Sequence, residues 1–490
     1  MFIDVKLQLN LAFQLQQSGQ FVEAERHYLE ILTVEPNNSN VLNLLGILKY
    51  QNKQYSEAAV YIKKAIEIKP CAYFYETLGK VQFGAGDFDE AIKSYKKSIE
   101  LEPEVFDTWF NLASVFKKDK QFQNAIEAYQ KALTINPKFT DIYFNLGNIY
   151  EELNDSPSAI INYKKALDGN PEDSEASYFL ATSYLKVKNF EEGWKYFEKR
   201  PGKLLSIFSQ MKRYNEIITS KRLWEGESIK DKTLYIYSEA GLGDTIMFAR
   251  YLPLLKNVCA KVLFKPQVSL QSLFKDSYPD LEIIESKTPD SALKFDVHTP
   301  IMSLPYLLHL NSEKIPFDEG FLKANPEKVN EYKQKYFNND KLKIGIKWQG
   351  NTSIDQSRIL PLQSFKKLFE LPNIKFYSVQ KTEIGEVPET SLYDYEIFDL
   401  GATFGDFSDT AAALENLDLI ICNDTSVAHL AGALGKPCWV LLPSLYNWRW
   451  HTDISYSPWY KSLKLFKQNE PGNWDSVFAE IYEKLASFKK

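Results

Sequence analysis

The chain has 490 residues, of which 44% are hydrophobic and 25% are charged, a composition typical of folded globular proteins. Its formal net charge of -6 argues against the broad basic surface of a nucleic-acid binder. No apolar run is long enough to cross a bilayer and the first residues lack a secretory signal pattern, so we expect a cytoplasmic protein of roughly three domains, without membrane insertion.

An internal repeat fills about the first 200 residues. Prolines recur every 33 or 34 residues, at positions 36, 70, 103, 137 and 171. Small residues recur with the same period in two phases, one beginning at Ala12 and Gly46 and the other at Ala24 and Ala58, which predicts two closely packed helices per unit. These residues resemble the tetratricopeptide repeat (TPR), whose units stack into a superhelix. We expect an α-solenoid of about six TPR units over residues 1–200, with a protein partner in its groove.

Three asparagines occupy one position in the first helix of their repeats: Asn10, Asn111 and Asn145. A primary amide both donates and accepts hydrogen bonds, so it can bind a peptide backbone without reading side chains. The position resembles the asparagine ladder of the O-linked N-acetylglucosamine transferases. The ladder is incomplete, because the other three repeats lack asparagine there. We expect these amides to contact an acceptor peptide, and the alternative is that they are solvated or bonded locally.

The sequence pattern changes after the repeats. A polar stretch over residues 201–232 predicts a linker. From Thr233 onwards, short β-rich runs alternate with helical patterns, which predicts a parallel sheet, and the alternation starts again at Lys341. We therefore predict two Rossmann-like, doubly wound halves at residues 233–335 and 336–490, the second of which ends in a closing helix. The predicted fold class is an α-solenoid followed by α/β domains.

Polar residues follow one of the predicted strands of the second half. Asp424, Thr425 and Ser426 come directly after "LDLIIC" and begin the next helix. Open parallel sheets bind ligands at this edge. The N–H groups and positive dipole of a helix N-terminus, together with two hydroxyl groups, can stabilise a phosphate there. The alternative is that Asp424 or Thr425 simply caps the helix.

Two other predicted strand ends contribute to the same region. "GIKWQGNTSIDQSRILPL" places Lys347, Asn351 and Arg358 beyond another strand, where they would approach the phosphate. "EAGLGDTIMF" places Asp244 at the corresponding junction of the first half, where Gly241 and Gly243 would allow a tight backbone turn. This segment lacks the third glycine of a dinucleotide fingerprint and the GK[ST] of a P-loop.

Histidines and aromatic residues near these segments have two interpretations. His429 lies in the predicted helix after Ser426, as a packed structural side chain or as a ligand contact. His451 lies in a loop rich in rings, with Tyr446, Trp448, Trp450 and Trp459 around it. These rings would either stack on a sugar or base or pack between the halves.

These motifs together resemble a known enzyme family. GLGD with "FARYLPLL", "GIKWQGN" with Arg358, and "NDTSVAHLAGALGKP" are similar to the GT-B glycosyltransferases of the heptosyltransferase type, glycosyltransferase family 9. The resemblance covers about residues 233–490. TPR units joined to such a domain, with "NWRW" and "SPWY", resemble bacterial TPR glycosyltransferases, including those implicated in flagellin glycosylation.

The resemblance implies an inverting glycosyltransferase of the EC 2.4 class that moves a sugar from a nucleotide sugar to a hydroxyl of a protein, such as flagellin or another surface protein. Asp244 would be the general base. The donor would be bound by Asp424 at the sugar, by Thr425 and Ser426 at the diphosphate, and by Lys347, Asn351, Arg358 and His429 around them. No metal or other cofactor is expected, and Asp87-Phe88-Asp89 is interpreted as a solvated turn.

Two other functions remain open. The chain would be a non-catalytic TPR adaptor if its second part binds nucleotide or a partner but has lost catalysis. It would be a nucleotide-sugar epimerase if the GT-B domain acts without an acceptor, although this function gives the repeats no role.

Overall fold

The computed structural model describes residues 4–200, 222–310, 315–350, 359–381, 395–451 and 455–488. The chain forms two compact units, Met1–Pro171 and Glu172–Lys490. Within the described ranges, no helix combines the length and the apolar character needed to cross a membrane.

The described part of the first unit consists of helices joined by short turns. They are α1 (Val5–Gln17), α2 (Phe21–Val34), α3 (Ser39–Gln51), α4 (Tyr55–Ile68), α5 (Ala72–Ala85), α6 (Phe88–Leu101), α7 (Phe106–Lys118), α8 (Phe122–Ile135), α9 (Asp141–Glu152) and α10 (Ser156–Gly169). Successive helices form five pairs, one for each repeat, which confirms the predicted helical solenoid.

The small residues of the repeat permit close contact within each pair. A β-carbon added to Gly46 would lie 2.4 Å from the side chain of Ile62, and one added to Gly147 would lie 2.5 Å from the ring of Tyr163. Ala24 and Ala58, in the other phase, are fully buried. Both predicted phases of small residues therefore mark the surfaces where the two helices of a unit meet.

Each turn between paired helices contains one residue with a positive φ. These residues keep the repeat period and have φ between 57° and 86°: Gly19, Lys53, Gly86, Lys120, Asn154 and Lys188. In the first turn the N–H of Gln20 donates to the carbonyl of Leu15 at 2.9 Å, and the N–H of Gly19 donates to that of Gln16 at 3.1 Å. This is the Schellman ending of a helix, which satisfies the last carbonyl groups and reverses the chain.

The second unit begins with a sixth helix pair, α11 (Ser174–Lys186) and α12 (Phe190–Phe197), which precedes a parallel sheet. The strands of this sheet are β1 (Arg222–Leu223), β2 (Ile229–Tyr237), β3 (Cys259–Lys265), β4 (Glu282–Ile283) and β5 (Val297–Pro300), in the order β1-β5-β2-β3-β4. Its helices are α13 (Leu242–Phe248), which continues as a 3₁₀ helix (Ala249–Asn257), α14 (Gln271–Ser277) and α15 (Leu304–Leu307).

A second parallel sheet follows in the same unit. Its strands are β6 (Leu342–Lys347), β7 (Ile374–Ser378), β8 (Phe398–Asp399), β9 (Leu419–Asn423), β10 (Cys438–Leu442) and β11 (Leu463–Lys467), in the order β11-β10-β9-β6-β7-β8. Its helices are α16 (Pro326–Tyr336), α17 (Lys366–Phe369), α18 (Phe407–Glu415), α19 (Ser426–Ala433) and α20 (Asp475–Ala486). The two predicted parallel sheets are therefore confirmed.

Both sheets have a topological switch point. In the first sheet β2 lies between β3 and β5, and in the second β6 lies between β7 and β9. The chain thus leaves the central strand on one side and later returns on the other, which opens a crevice between the carboxyl ends of the two strands. The switch points fall after β2 and β5 and after β6 and β9.

The boundaries of the sheets differ from those expected. Strand β1 pairs with β5 from Arg222 onwards, so residues 222–232 belong to the first sheet and not to the linker. Residues 201–221 lie outside the described part of the chain. Helix α16 packs with the second sheet, because Lys328 donates to Asp409 of α18 at 2.7 Å. Three strands were not predicted, β1, β5 and β11, because they are short or lack a clear apolar alternation.

One apolar core joins the sixth helix pair to both sheets. The ring of Trp194 in α12 lies 5.9 Å from that of Phe248, 5.8 Å from that of Trp448 and 6.4 Å from that of Trp459, measured between centroids. Trp450 is fully buried as well. These contacts favour core packing for the tryptophans of the aromatic loop over stacking on a ligand.

Candidate functional site

The switch point of the second sheet brings together several of the predicted residues. Lys347 ends β6 and pairs in register with Cys422 of β9, two residues before Asp424. A β-carbon added to Gly350, beyond β6, would lie 3.1 Å from Cγ2 of Thr425. The loops after the two strands therefore touch, and Lys347 lies at the same sheet edge as Asp424 and Thr425. Asn351 and Arg358 lie outside the described residues.

The N-terminus of α19 carries no side-chain cap among the described residues. Thr425 occupies the cap position, but its hydroxyl donates to the carbonyl of Asn423 at 3.4 Å and accepts no N–H of the helix. The hydroxyl-bearing side chains of Thr425 and Ser426 are half-buried, and Asp424 is buried. The simple capping alternative does not describe this end, whose first N–H groups have no side-chain acceptor in the described part of the chain.

A buried cation lies at the same edge of the sheet as this helix end. The side chain of Lys347 is buried, and its ammonium group donates to Oε1 of Gln380 at 3.3 Å. The N–H of Gln349 donates to the same oxygen at 3.1 Å. Gln380 follows β7 and was missed in the sequence. Ligands of open parallel sheets bind at the carboxyl ends of the strands, and this strand-end rule applied to "IKFYSV" would have identified Gln380.

Asp244 lies in the first turn of α13, and both of its carboxylate oxygens have a partner. Its Oδ2 accepts the N–H of Gly241 at 3.1 Å, which caps the helix. Its Oδ1 forms a close ion pair with Nη2 of Arg449. The carboxylate is therefore fixed between its own helix and the loop that follows β10.

Gly243 brings the first turns of α13 and α19 into contact. A β-carbon at this position would lie 2.9 Å from Cδ2 of His429 and 3.4 Å from Cα of Ser426. Neither Gly241 nor Gly243 has a positive φ. The expected role in a tight turn is thus not observed, and the close approach of two helices explains Gly243 instead. The contact brings Asp244 to the edge that holds Ser426.

Arg449 is a residue of this site that the sequence interpretation missed. Its Nη1 donates to Asn447 at 2.7 Å, its guanidinium carbon lies 4.7 Å from the centroid of the Trp448 ring, and its Nε is buried without a hydrogen-bond partner in the described residues. The available signal was a single arginine within "NWRW".

Two tyrosines interact electrostatically with the ion pair. Burial raises the pKa of Tyr178 in α11, which Arg449 opposes and Asp244 reinforces. Burial also raises the pKa of Tyr460, and Arg250 and Arg449 oppose this effect. Both phenols are therefore neutral at physiological pH.

His429 is held by its neighbours. Its Nδ1 lies 3.2 Å from the hydroxyl of Tyr460, and its ring stacks on that of Trp450 with centroids 5.3 Å apart. The side chain is buried. These contacts fit the alternative of a packed structural histidine.

The switch point of the first sheet is filled by a buried ion pair. Nε and Nη2 of Arg200 donate to the carboxylate of Glu239, after β2, at 3.0 and 2.8 Å. The N–H of Met302, after β5, donates to Glu239 at 3.2 Å, and Nη2 of Arg200 donates to Ser303 at 2.9 Å. The crevice of the second sheet is therefore the better place for a ligand.

The predicted groove asparagines lie in the first unit. Oδ1 of Asn145 accepts from Nζ of Lys117 at 2.8 Å, and its amide nitrogen donates to the carbonyl of Asp141 at 3.3 Å. The local-bonding alternative thus describes Asn145. Asn111 is half-buried and Asn10 is exposed.

The acidic triplet at residues 87–89 lies at a helix start. Asp87 is at the cap position of α6, and both aspartates are exposed. In the described ranges, no group of three or more histidine, cysteine, aspartate or glutamate side chains is arranged to hold a metal ion.

Comparison with known families identifies the repeats. Models described as TPR repeat and tetratricopeptide repeat match residues 39–70, 79–120, 115–154 and 140–173. The chain therefore contains TPR repeats. This match covers the repeats alone.

Several proteins are similar to the chain over part of its length. Protein FlbA of Caulobacter vibrioides is 26% identical over 337 residues, which cover 63% of this chain and 54% of FlbA. The human mitochondrial import receptor subunit TOM70 is 34% identical over 89 residues, 18% of this chain and 15% of TOM70. The mouse protein O-mannosyl-transferase TMTC1 is 28% identical over 115 residues, 22% of this chain and 12% of TMTC1. The repeats end at Phe197, so the match to FlbA extends beyond them.

Solved structures also match part of the chain. The crystal structure of MamA is 26% identical, with a TM-score of 0.32, and covers 36% of this chain and 99% of its own. The C-terminal part of a TPR repeat-containing protein from Cytophaga hutchinsonii is 16% identical, with a TM-score of 0.38, and covers 51% and 88%.

Proposed function

We propose that this TPR protein is a cytoplasmic glycosyltransferase of the GT-B type, which moves a sugar from a nucleotide sugar to a hydroxyl of a protein bound by the repeats. The observation that carries the proposal is the packing of Gly243 on Ser426 and His429. It brings Asp244 of one doubly wound sheet to the helix N-terminus at the switch point of the other. A base and an anion site on opposite sides of one edge suit transfer between two substrates.

The donor would bind at the crevice of the second sheet. The N–H groups of the first turn of α19, with the hydroxyls of Thr425 and Ser426, suit a diphosphate. Lys347, held by Gln380, adds a buried positive charge beside them. Asp424 would accept hydrogen bonds from hydroxyls of the sugar. These groups would stabilise the negative charge that develops on the leaving diphosphate.

Asp244 would act as the base on the acceptor hydroxyl in a single inverting displacement. The carboxylate takes the proton of the acceptor hydroxyl, the hydroxyl oxygen forms a bond to the anomeric carbon, and the bond from that carbon to the diphosphate breaks. General-base catalysis of this kind contributes about 10²- to 10⁴-fold in rate. Asn10 and Asn111 would contact the acceptor chain in the groove of the repeats.

Donor hydrolysis tests the proposal without knowledge of the acceptor. The purified full chain is incubated with a panel of nucleotide sugars, and release of nucleoside diphosphate is followed. We expect slow release from one donor, reduced at least about 100-fold in Asp244→Asn. Asp409→Asn is a matched control, because Asp409 also caps the first turn of its helix and pairs with a cation, Lys328. Failure of the wild-type chain to bind or hydrolyse any donor would exclude the function.

One observation favours a second function, that of a TPR adaptor without catalysis. Both oxygens of Asp244 are engaged, one by Gly241 and the other by Arg449. An adaptor would bind a nucleoside diphosphate or a partner protein without turnover. Unchanged partner binding and cellular phenotype in Asp244→Asn would support it, and loss of phenotype with intact partner binding would support the enzyme.

A further inference from the structure

The ion pair of Asp244 raises a problem for its role as a base. A carboxylate that accepts a proton from a substrate needs an oxygen that the substrate can reach. Here Oδ2 is used by the N–H of Gly241 and Oδ1 by Nη2 of Arg449. The contact with Gly241 is local and belongs to the helix cap. The contact with Arg449 is the one that substrate binding would have to change.

The backbone of Arg449 is held by a hydrogen bond, but one N–H group of its side chain has no hydrogen-bond partner among the described residues. The indole N–H of Trp459 donates to the carbonyl of Arg449 at 2.7 Å, which fixes the loop. The guanidinium stacks on Trp448, and its buried Nε has no hydrogen-bond partner among the described residues. An unmade hydrogen bond at a buried donor is unfavourable. A hydrogen bond from the guanidinium to another acceptor would therefore be favourable.

The start of α19 contacts the chain neighbours of both Asp244 and Arg449. Gly243, next to Asp244, touches Ser426 at the start of α19. Trp450, next to Arg449, stacks on His429 one turn further along the same helix. Arg449 is thus connected to the start of α19 in two ways, through its ion-pair partner Asp244 and through its neighbour Trp450. Its planar fork of donors suits a phosphate better than it suits a single carboxylate oxygen.

We propose that Arg449 is a positioning residue whose contact changes from Asp244 to the diphosphate when the donor binds. This inference rests on the proposed function. Without ligand, the guanidinium holds Oδ1 of Asp244. With a diphosphate at the N-terminus of α19, the guanidinium turns to the phosphate oxygens, and Oδ1 becomes available to the acceptor hydroxyl. The donor therefore binds before Asp244 can act, which prevents the base from engaging an acceptor in the absence of donor.

A double-mutant cycle on the full chain tests the inference. Melting temperatures are measured for the wild type, Asp244→Asn, Arg449→Gln and the double variant, without ligand and with each of UDP, GDP, ADP, CDP and dTDP at saturation. We expect the two substitutions to be non-additive without ligand, because the residues contact each other. With the diphosphate that binds, we expect them to become additive, because the contact is gone.

Binding measurements on the same variants provide a second test. We expect Arg449→Gln to weaken the affinity for that nucleoside diphosphate about 10- to 100-fold and to leave the affinity for the nucleoside unchanged. Lys461→Gln is the control, since Lys461 is an exposed lysine that pairs with Glu319 at 2.9 Å. If Arg449→Gln does not fold, Arg449→Lys keeps the charge but loses the fork, and a smaller loss of affinity is expected.

The outcomes separate this inference from the proposed function. A coupling that persists at saturating diphosphate, or an unchanged affinity in Arg449→Gln, would show a permanent structural ion pair and overturn the inference. The proposed function would survive that result if donor hydrolysis still requires Asp244. If no nucleoside diphosphate binds and no donor is hydrolysed, both fail.

Discussion

At the scale of single residues, His451 holds the aromatic loop that carries Arg449 against α11. Its Nδ1–H donates to the carbonyl of Lys186 at 2.9 Å, and the side chain is 1% exposed. Burial lowers the pKa of His451 from 6.5 to about 4, and the charges of Lys188 and Lys467 act in the same direction. A buried imidazole kept neutral makes the second unit sensitive to acid.

The sign of this effect follows from the two pKa values of His451. The unfolded chain binds the proton below pH 6.5, whereas the folded chain binds it only below about 4. Stability is therefore complete above pH 6.5 and falls as the pH drops towards 4. We expect the free energy of unfolding of the second unit to be about 2 kcal/mol lower at pH 5 than at pH 7.5 from this residue.

Urea unfolding followed by tryptophan fluorescence measures this loss, because eight of the nine tryptophans lie in the second unit. His451→Gln keeps a donor for Lys186 but does not titrate, so the difference between pH 5 and pH 7.5 should shrink. Equal pH dependence in both proteins would contradict the assignment.

A methyl group at Gly243 tests the contact on which the site depends. The added carbon would lie 2.9 Å from His429, whose ring is held by Trp450 and Tyr460 and cannot give way easily. We expect Gly243→Ala to cost about 1–3 kcal/mol of stability. Calorimetry of Gly243→Ala, His429→Ala and the double variant should show partial relief in the double. Purely additive losses would place the strain elsewhere.

The strand-end rule predicted part of the site and missed its long-range contacts. Lys347 and Asp424 were predicted because each follows a recognisable strand of one parallel sheet. The partner of Asp244 could not be predicted, because Arg449 is 205 residues away and lies in a loop without periodicity. The local sequence pattern predicts the position of a residue on its helix or strand. The contacts of its side chain depend on tertiary packing, which the pattern does not contain.

At the scale of elements, α1 differs from the first helices of the other repeats. Leu11 is 39% exposed, whereas Leu45, Leu78 and Leu112, at the same position of later repeats, are at most 6% exposed. Leu7 is 65% exposed, and its counterpart Val41 is fully buried. No described helix precedes α1, so the surface that later repeats bury against their predecessor is open here.

This difference predicts unequal costs for the same substitution. Leu45→Ala should reduce the free energy of unfolding by about 2–5 kcal/mol, because it empties a packed site. Leu11→Ala should cost less than about 1 kcal/mol, because much of its surface is already in water. Urea titrations followed by circular dichroism compare the two. Similar losses would mean that the open face of α1 is covered in solution.

Long elements were easier to predict than short ones. The repeat helices have 12 to 14 residues in the first unit, so about three turns of apolar period are visible in each. Strands β1 and β8 have two residues each, too few to show alternation. Their existence depends on neighbouring strands, which no local window contains.

At the scale of the whole molecule, the second compact unit begins inside the repeats, at Glu172. The reason lies in α12, where Trp194 packs on rings of both sheets. Arg200, just after α12, satisfies the buried carboxylate of Glu239. The sixth helix pair is thus part of the core of the α/β region.

Two fragments test this role of the sixth pair. Residues 172–490 should be monomeric and cooperatively folded. Residues 201–490 should aggregate, because the apolar surface under Trp194 is exposed and the buried carboxylate of Glu239 loses its partner Arg200. Size-exclusion chromatography and near-ultraviolet circular dichroism distinguish them. Equal stability of both fragments would show that the α/β region does not need the pair.

The packing of Trp194 also has a consequence during synthesis on the ribosome. Its partner Trp459 is added about 265 residues later. At about 5–20 residues per second, α12 waits roughly 13 to 53 s before the last part of its binding surface exists. Phe248 becomes available earlier, but the part of the Trp194 ring that Trp448 and Trp459 cover stays exposed until the end of that interval. A nascent chain of this kind is a natural client for chaperones that act at the exit tunnel.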